Sequence, residues 1–232
     1  MPASETKNQA SLVSSRRQDA GAPTALLLNA MTTVHKEWYS RGYLPHFDYP
    51  DILQGITFHL DDSLPAVVVE RMKRKAKQSP HPERELRTAV QRYLDAGHGA
   101  CYLKEPALAR TVEHALLHFD GQRYRLLAWV IMPNHVHLLV EIIEGYPLHE
   151  VIHSWKSFTA QEINKALKRR GTFWQREYFD RFIRNEKHLR KSIRYIHNNP
   201  VKAGLVANSG DFPFSSARFG EQRWSAGILV GT

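Results

Sequence analysis

A single cysteine, Cys101, stands among 232 residues. No disulfide can close within the chain, and so sparse a use of cysteine fits a reducing compartment. Long apolar runs are missing as well. The longest early one, ALLLNAM at 25–31, is far too short to span a bilayer, and no later run does better. No secretory signal pattern is present, and no internal repeat. These absences exclude a disulfide scaffold and a helical membrane protein. They lead to the expectation of a cytoplasmic chain with no membrane partner. At 42% hydrophobic, the chain can bury a real core.

Charge is in excess, and its placement is informative. The formal net charge is +9. Residues 1–150 hold 17 basic and 17 acidic side chains, and residues 209–232 hold 2 of each. The stretch from Val151 to Asn208 holds 13 Lys or Arg against 4 Asp or Glu. The whole excess therefore falls in one quarter of the chain. A merely solvated face mixes signs more evenly, so the clustering points to a polyanion, and nucleic acid in particular.

Along the chain, residues 1–34 are polar and aperiodic and read as a flexible arm. HKEWYSRGYLPHFDYP at 35–50 reads as an irregular aromatic segment. GITFHL at 55–60 alternates as a strand does. DDSLP then resembles a helix entry, with Ser63 as cap and Pro65 near the first turn of a helix from Ala66 to Gln78. Further helices are predicted from Pro82 to the stop at Gly97, and from Pro106 to Phe119. YRLLAWVIM and HVHLLVEII, separated by Pro133-Asn134, read as a hairpin. A long amphipathic helix follows from Pro147 to Arg170. YFDRFIR at 178–184 reads as a strand, and Asn185 caps a helix over 186–199 that Pro200 stops. The tail, 209–232, is aromatic and turn-rich.

That order is β–α–β–β–α–β with one more helix. It predicts an α+β, ferredoxin-like antiparallel sheet with helices on one face and an extra C-terminal helix. The domain is expected over 35–208. A surplus helical stretch before the hairpin has no place in the plain pattern.

The chemistry starts from MPNHVHLLV at 132–140. His135 and His137 are two apart, so on a strand they point to one face. Neutral imidazole is a common metal ligand, and two side by side make metal binding as reasonable as two solvent-facing or backbone-paired histidines. No third His, Cys or acid lies at ligand spacing nearby in the sequence. In NEKHLRKSIRYIHNNP, Leu189, Ile193 and Ile196 form an apolar stripe. Tyr195 and Asn199 are i and i+4, off that stripe. An exposed tyrosine above an ordinary helix-end asparagine is the plain alternative.

Taken in order, MPNHVHLLV, WQREYFDRFIR and YIHNNPVKAGLV resemble the REP-associated tyrosine transposases. These are relatives of the single-tyrosine transposases in the HUH endonuclease superfamily. The resemblance covers about residues 55–219, and HFDYP at 46–50 with ITFHLDDSLP is also similar to the family's opening. It implies that His135 and His137 are metal ligands, that Asn199 supplies a third, and that Tyr195 is the nucleophile. It implies a divalent ion, Mg²⁺ or Mn²⁺, beside a scissile phosphate. The substrate implied is single-stranded or hairpin DNA of repetitive extragenic palindromes. The expected activity is cleavage and rejoining through a 5′-phosphotyrosine, by a monomer or homodimer near the nucleoid.

Among other residues, Lys156 in SWKSFTA, Arg181, Arg184, Arg194 and Lys202 are candidates for phosphate contacts. Trp174 fits a core better than a base-stacking platform. His197 reads as a bystander to the tyrosine, and Glu141 and Asp180 as isolated acids without a role. Two rival functions remain: a non-catalytic, domesticated DNA-binding protein, and a nuclease that uses metal-activated water.

Overall fold

The computed structural model of the chain describes residues 37–40 and 45–220. The arm expected at 1–34 and the end of the tail, 221–232, lie outside the described residues. Strand β1 (Glu37–Ser40) pairs antiparallel with β2 (Pro45–Asp48). The segment read as irregular thus contains a two-stranded ribbon. Its aromatic, Pro-containing composition hid a period of 2 too short to recognise.

The main sheet has four strands: β3 (Leu53–His59), β4 (Tyr124–Ile131), β5 (His135–Ile142) and β6 (Phe179–Phe182). Their order is β4-β5-β3-β6, and every pairing is antiparallel. This is the ferredoxin-like arrangement that the element order predicts.

Alternation along the strands makes two different faces. Ile56 and Phe58 of β3, with Val136, Leu138 and Val140 of β5, point into the larger core. That core is closed by α3 (Pro106–His118) and α4 (Leu148–Ala166), through residues such as Val112, Leu116, Ile152 and Trp155. Trp174 is buried in the same core and donates its indole N–H to Thr159 Oγ1 at 2.8 Å. The opposite face carries Leu139 and packs against α5 (Glu186–His197) through Leu189 and Ile196. Asn185 caps α5 as predicted, its side-chain oxygen accepting from His188 N at 2.9 Å.

Two local expectations are corrected. Ser63 does not cap the helix that follows. Pro65 holds the cap position of α1 (Ala66–Ala76) without a side-chain bond, while buried Ser63 donates to Leu60 O at 2.7 Å. Pro200 does not end the helical path either. Helix α5 stops at His197 and a short turn, α6 (Asn199–Lys202), takes Pro200 in its first turn, where a missing N–H costs nothing.

The surplus helical stretch is α2 (Pro82–Asp95), which forms a hairpin with α1 around Leu64, Val69, Val90 and Leu94. The described part of the tail, 209–220, lies along β4. Ile131 N bonds Phe214 O at 2.9 Å, and Trp129 N bonds Ser216 Oγ at 2.9 Å. No helix among the described residues is long and apolar enough to cross a membrane.

Leu138 is fully buried where β5 meets the α3–α4 layer. Leu138→Ala should lower the unfolding free energy by about 3 kcal/mol in a urea titration. Val67→Ala, at a 75% exposed position, should change it by less than about 0.5 kcal/mol.

Candidate active site

The register of β3 against β5 sets His59 opposite His135 and Thr57 opposite His137. All three imidazoles are buried, and the His135 and His137 rings stand 4.6 Å apart. Each ring is held by its Nδ1. The Asn134 amide donates to His98 O at 2.8 Å, so its oxygen faces His135 and accepts from Nδ1–H at 2.7 Å. Gln91 Nε2 donates both to Asp95 Oδ1 at 2.6 Å and to His137 Nε2 at 2.9 Å. His137 therefore carries its proton on Nδ1 and donates it to Thr57 Oγ1 at 2.7 Å. His59 Nδ1 donates to Leu60 O at 3.0 Å. The hydrogen-bond network thus turns both Nε2 lone pairs inward, that of His135 without a partner and that of His137 taken by Gln91, which a bound metal would displace.

Burial fixes the neutral forms. Desolvation lowers the His137 pKa to about 3 and that of His59 to about 4, and puts His135 well below its ordinary value.

A third group arrives from a distance in sequence. Asp95, the last residue of α2, has Oδ1 3.5 Å from His135 Nε2. The donor atoms of Asp95, His135 and His137 all lie within 4.8 Å of one another. Sequence spacing gave no third acid, and tertiary structure overturns that. The end of α2 is pinned there by the loop that follows. His98 O holds Asn134, Tyr93 stacks on His98 at 4.0 Å, and Ala100 N donates to Asp62 at 2.7 Å. Gly99 in this loop has φ +88°, and a Cβ there would sit 3.0 Å from the Asp62 backbone, so only glycine fits. The one sequence signal for Asp95 was the amphipathic pattern of α2, which could not say what the helix faced.

Tyr195 and Asn199 complete the cluster. The Tyr195 ring packs edge-on against His137, 5.4 Å between centroids. Asn199 is fully buried across the α5–α6 junction. It lies close enough to Asp95 and Tyr195 to lower the pKa of each, though neither approach has hydrogen-bond geometry. Burial, and then the Asp95 carboxylate, push the Tyr195 pKa up; burial likewise raises Asp95.

Buried polar atoms without a hydrogen-bond partner are costly. Here His135 Nε2, Asn199 Oδ1 and Tyr195 Oη all belong to one cluster. Lone-pair donors of this kind around one carboxylate fit a divalent cation, which would satisfy them together.

The candidate phosphate contacts divide. Lys202 Nζ sits over the Tyr195 ring at 4.9 Å, and Arg181 lines the cleft that leads to Tyr195. Arg184 is outside the cleft lining, its guanidinium over Phe182 at 5.5 Å, and near enough to Arg181 to lower its pKa. Arg194 is exposed and outside the cleft lining. Lys156 lies outside the cleft lining, donating to Gln175 O at 2.5 Å and Arg176 O at 2.8 Å, yet near enough to His59 to lower its pKa. His197 bonds Ser216 Oγ at 3.0 Å, joining α5 to the tail. The acids read as isolated are paired. Asp180 holds His46 Nδ1 at 2.6 Å, and Glu141 holds Arg125 at 2.6 Å.

Residues 105–199 match the family model described as "Transposase IS200 like". Two curated relatives are similar. A REP-associated tyrosine transposase of Escherichia coli is 32% identical over 107 residues, 45% of this chain and 62% of its own length. A putative REP-associated tyrosine transposase of Haemophilus influenzae is 31% identical over 103 residues, 40% of this chain and 58% of its own length. The matches thus span about three fifths of those relatives. A solved structure, a REP-associated tyrosine transposase bound to a REP hairpin, shares the fold: TM-score 0.51 and 20% identity, over 78% of this chain and 84% of that one. The resemblance read from the three sequence blocks is borne out. His135, His137, Tyr195 and Asn199 fall inside the matched segment, and Asp95 precedes it.

Buried neutral histidines make stability depend on pH. Their folded pKa values lie below the unfolded value near 6.5, so the unfolded chain binds more protons between about pH 6.5 and 4. Stability should be full above pH 6.5 and fall as pH drops, by on the order of 1 kcal/mol per pH unit for each histidine. Denaturant titrations from pH 7.5 to 4.5 should show this slope, and His59→Gln should reduce it by one histidine's share.

Proposed function

We propose that this chain is a metal-dependent single-strand DNA endonuclease and strand transferase. It acts on hairpin DNA of the repetitive extragenic palindrome type, with Tyr195 as nucleophile and a 5′-phosphotyrosine as intermediate. The observation that carries the reading is the Tyr195 hydroxyl. It is buried, lacks a hydrogen-bond partner, and stands beside His137 within one cluster that also holds Asp95, His135 and Asn199. The Tyr195 ring packs on the edge of the β4–α5 cluster, but its hydroxyl bonds nothing there, unlike that of Tyr124, which donates to Leu116 O at 2.8 Å.

His135, His137 and Asp95 would hold a divalent ion, with Asn199 beside them. When bound, Mg²⁺ or Mn²⁺ would neutralise charge on the scissile phosphate and favour the phenolate. The chain's own residues supply the rest. Burial and Asp95 keep Tyr195 protonated at rest, so the nucleophile is not spent on stray electrophiles. The Thr57 and Asn134 bonds keep both imidazoles aimed inward. Lys202 over the tyrosine ring favours negative charge on the phenol oxygen as it develops. In the step itself, a Tyr195 Oη–P bond forms and the P–O3′ bond breaks. The phenol gives up a proton and the departing 3′ oxygen gains one. The phosphodiester is conserved in the tyrosine ester, so a second 3′-OH can reverse the step on another strand without a nucleotide cofactor.

Asp95 also strengthens a second reading. Two imidazoles and a carboxylate are a ligand set that can activate water for direct hydrolysis. Tyrosine chemistry separates the two.

End-labelled hairpin oligonucleotides from the source genome, incubated with Mn²⁺ and run on denaturing gels, should give a protein-linked band. EDTA should abolish it, and Tyr195→Phe should lower its rate of formation by about 10³-fold or more. Free ends that survive Tyr195→Phe would move the chemistry to water. A native-gel complex without cleavage would leave a DNA-binding protein. For the metal, Asp95→Asn should weaken Mn²⁺ binding by calorimetry at least about tenfold.

A further inference from the structure

The cleft leading to Tyr195 has a volume of about 590 Å³ and lies between α2 and α5, over β3, β5 and β6. Its floor is mixed. Val90, Leu94, Phe179, Ile183 and Ile196 contribute apolar surface. Its walls are basic. Arg87 and Arg92 enter from α2, Arg181 from β6 and Lys191 from α5. Arg84 and Arg184 stand near enough to lower the pKa of Arg181, after its burial and together with Arg87. Among the described residues, none of Arg84, Arg87, Arg92, Arg181 or Lys191 forms an ion pair. The acid at the inner end is Asp95, already in the candidate active site, and Asp180 is turned to His46 and Phe47 N.

Uncompensated cations crowded on one another are unfavourable in the free protein, and a polyanion relieves them. The pattern along α2 gives direction. Arg84, Arg87, Thr88, Gln91 and Asp95 recur at i+3 and i+4, so one stripe runs from basic residues to the Gln91–Asp95 pair at the histidines.

We propose that α2 is one wall of a channel for a single DNA strand. Arg84 and Arg87, facing Arg181 and Lys191, hold the backbone of the segment that leads into the tyrosine. This rests on the nuclease reading and adds to it α2 residues that lie outside the basic quarter of the sequence. Cationic walls over an apolar floor suit a single strand, whose phosphates and unpaired base faces are both available. A duplex has its base faces stacked away and is too wide for a cleft of this volume. An acidic peptide would use the walls but leave the apolar floor unmatched.

The test is fluorescence anisotropy of the full chain with a labelled oligothymidylate of about 16 nucleotides, over a salt series. A blunt duplex of equal length serves as comparison. Arg84→Ala/Arg87→Ala should weaken single-strand binding at least about tenfold and reduce the log–log salt slope by about 0.7 for each phosphate that is no longer neutralised. Arg110→Ala, an exposed arginine on α3 across the sheet, should change neither. Both arginines of α2 are exposed, so thermal melts should match wild type. Lysine at both positions should restore most of the affinity, because holding a backbone phosphate needs charge more than shape.

Wild-type affinity and slope in the double alanine variant would overturn the channel, and the nuclease reading would stand if the wild-type chain still linked to hairpin DNA. A loss confined to the duplex would also overturn it. If the variant loses single-strand affinity as expected but the wild-type chain never links to DNA, the channel is supported and the phosphotyrosine reading fails.

Discussion

Two hydrogen bonds, His137 Nδ1 to Thr57 and His135 Nδ1 to Asn134, govern the rest of the site. Each fixes a tautomer and a ring plane, and each leaves Nε2 as a lone pair. Both partners come from the sheet itself. Thr57 lies opposite His137 in the β3–β5 ladder, and Asn134 occupies the hairpin turn just before β5. A slip of register by one residue would turn both imidazoles into the α3–α4 core and bring Val136 and Leu138 out. The larger core, which anchors those two residues, is therefore also what holds the histidines in place.

Around this fixed pair the site collects polar groups that the protein leaves unpaired. His135 Nε2, Asn199 Oδ1 and Tyr195 Oη are all buried without a hydrogen-bond partner. A folded chain seldom keeps such atoms together unless something else completes them. Gln91 shows the same economy, with one amide nitrogen serving both Asp95 and His137. The electrostatic gradient is consistent: a carboxylate and neutral imidazoles at the inner end of the cleft, and arginines and a lysine on its walls.

Strands and helices with strong periodicity were legible. The hairpin around Pro133-Asn134, the Asn185 cap and the ferredoxin-like order all follow from pattern. The weak points were short or positional. The ribbon of β1 and β2 is four residues a side, and Ser63 looked like a cap only because its neighbours resembled a helix entry. Arg194 looked equivalent to Arg181 in a basic stretch, yet helical phase puts it outside the cleft.

The face shared by His135 and His137, the i, i+4 relation of Tyr195 to Asn199 and the basic excess after Val151 are all written in local sequence. Those are properties of period and spacing, which short-range geometry settles. Long-range packing is what brings Gln91 and Asp95 of the surplus helix α2 to the histidines, sets Arg87 in the cleft wall with Arg84 near Arg181, and leaves Lys156 outside the cleft lining. Asp95 and His135 are 40 positions apart in the chain and 3.5 Å apart in space. Proximity of that kind depends on how a loop pinned by Gly99, Ala100 and Asn134 docks one element on another, and no local period encodes that.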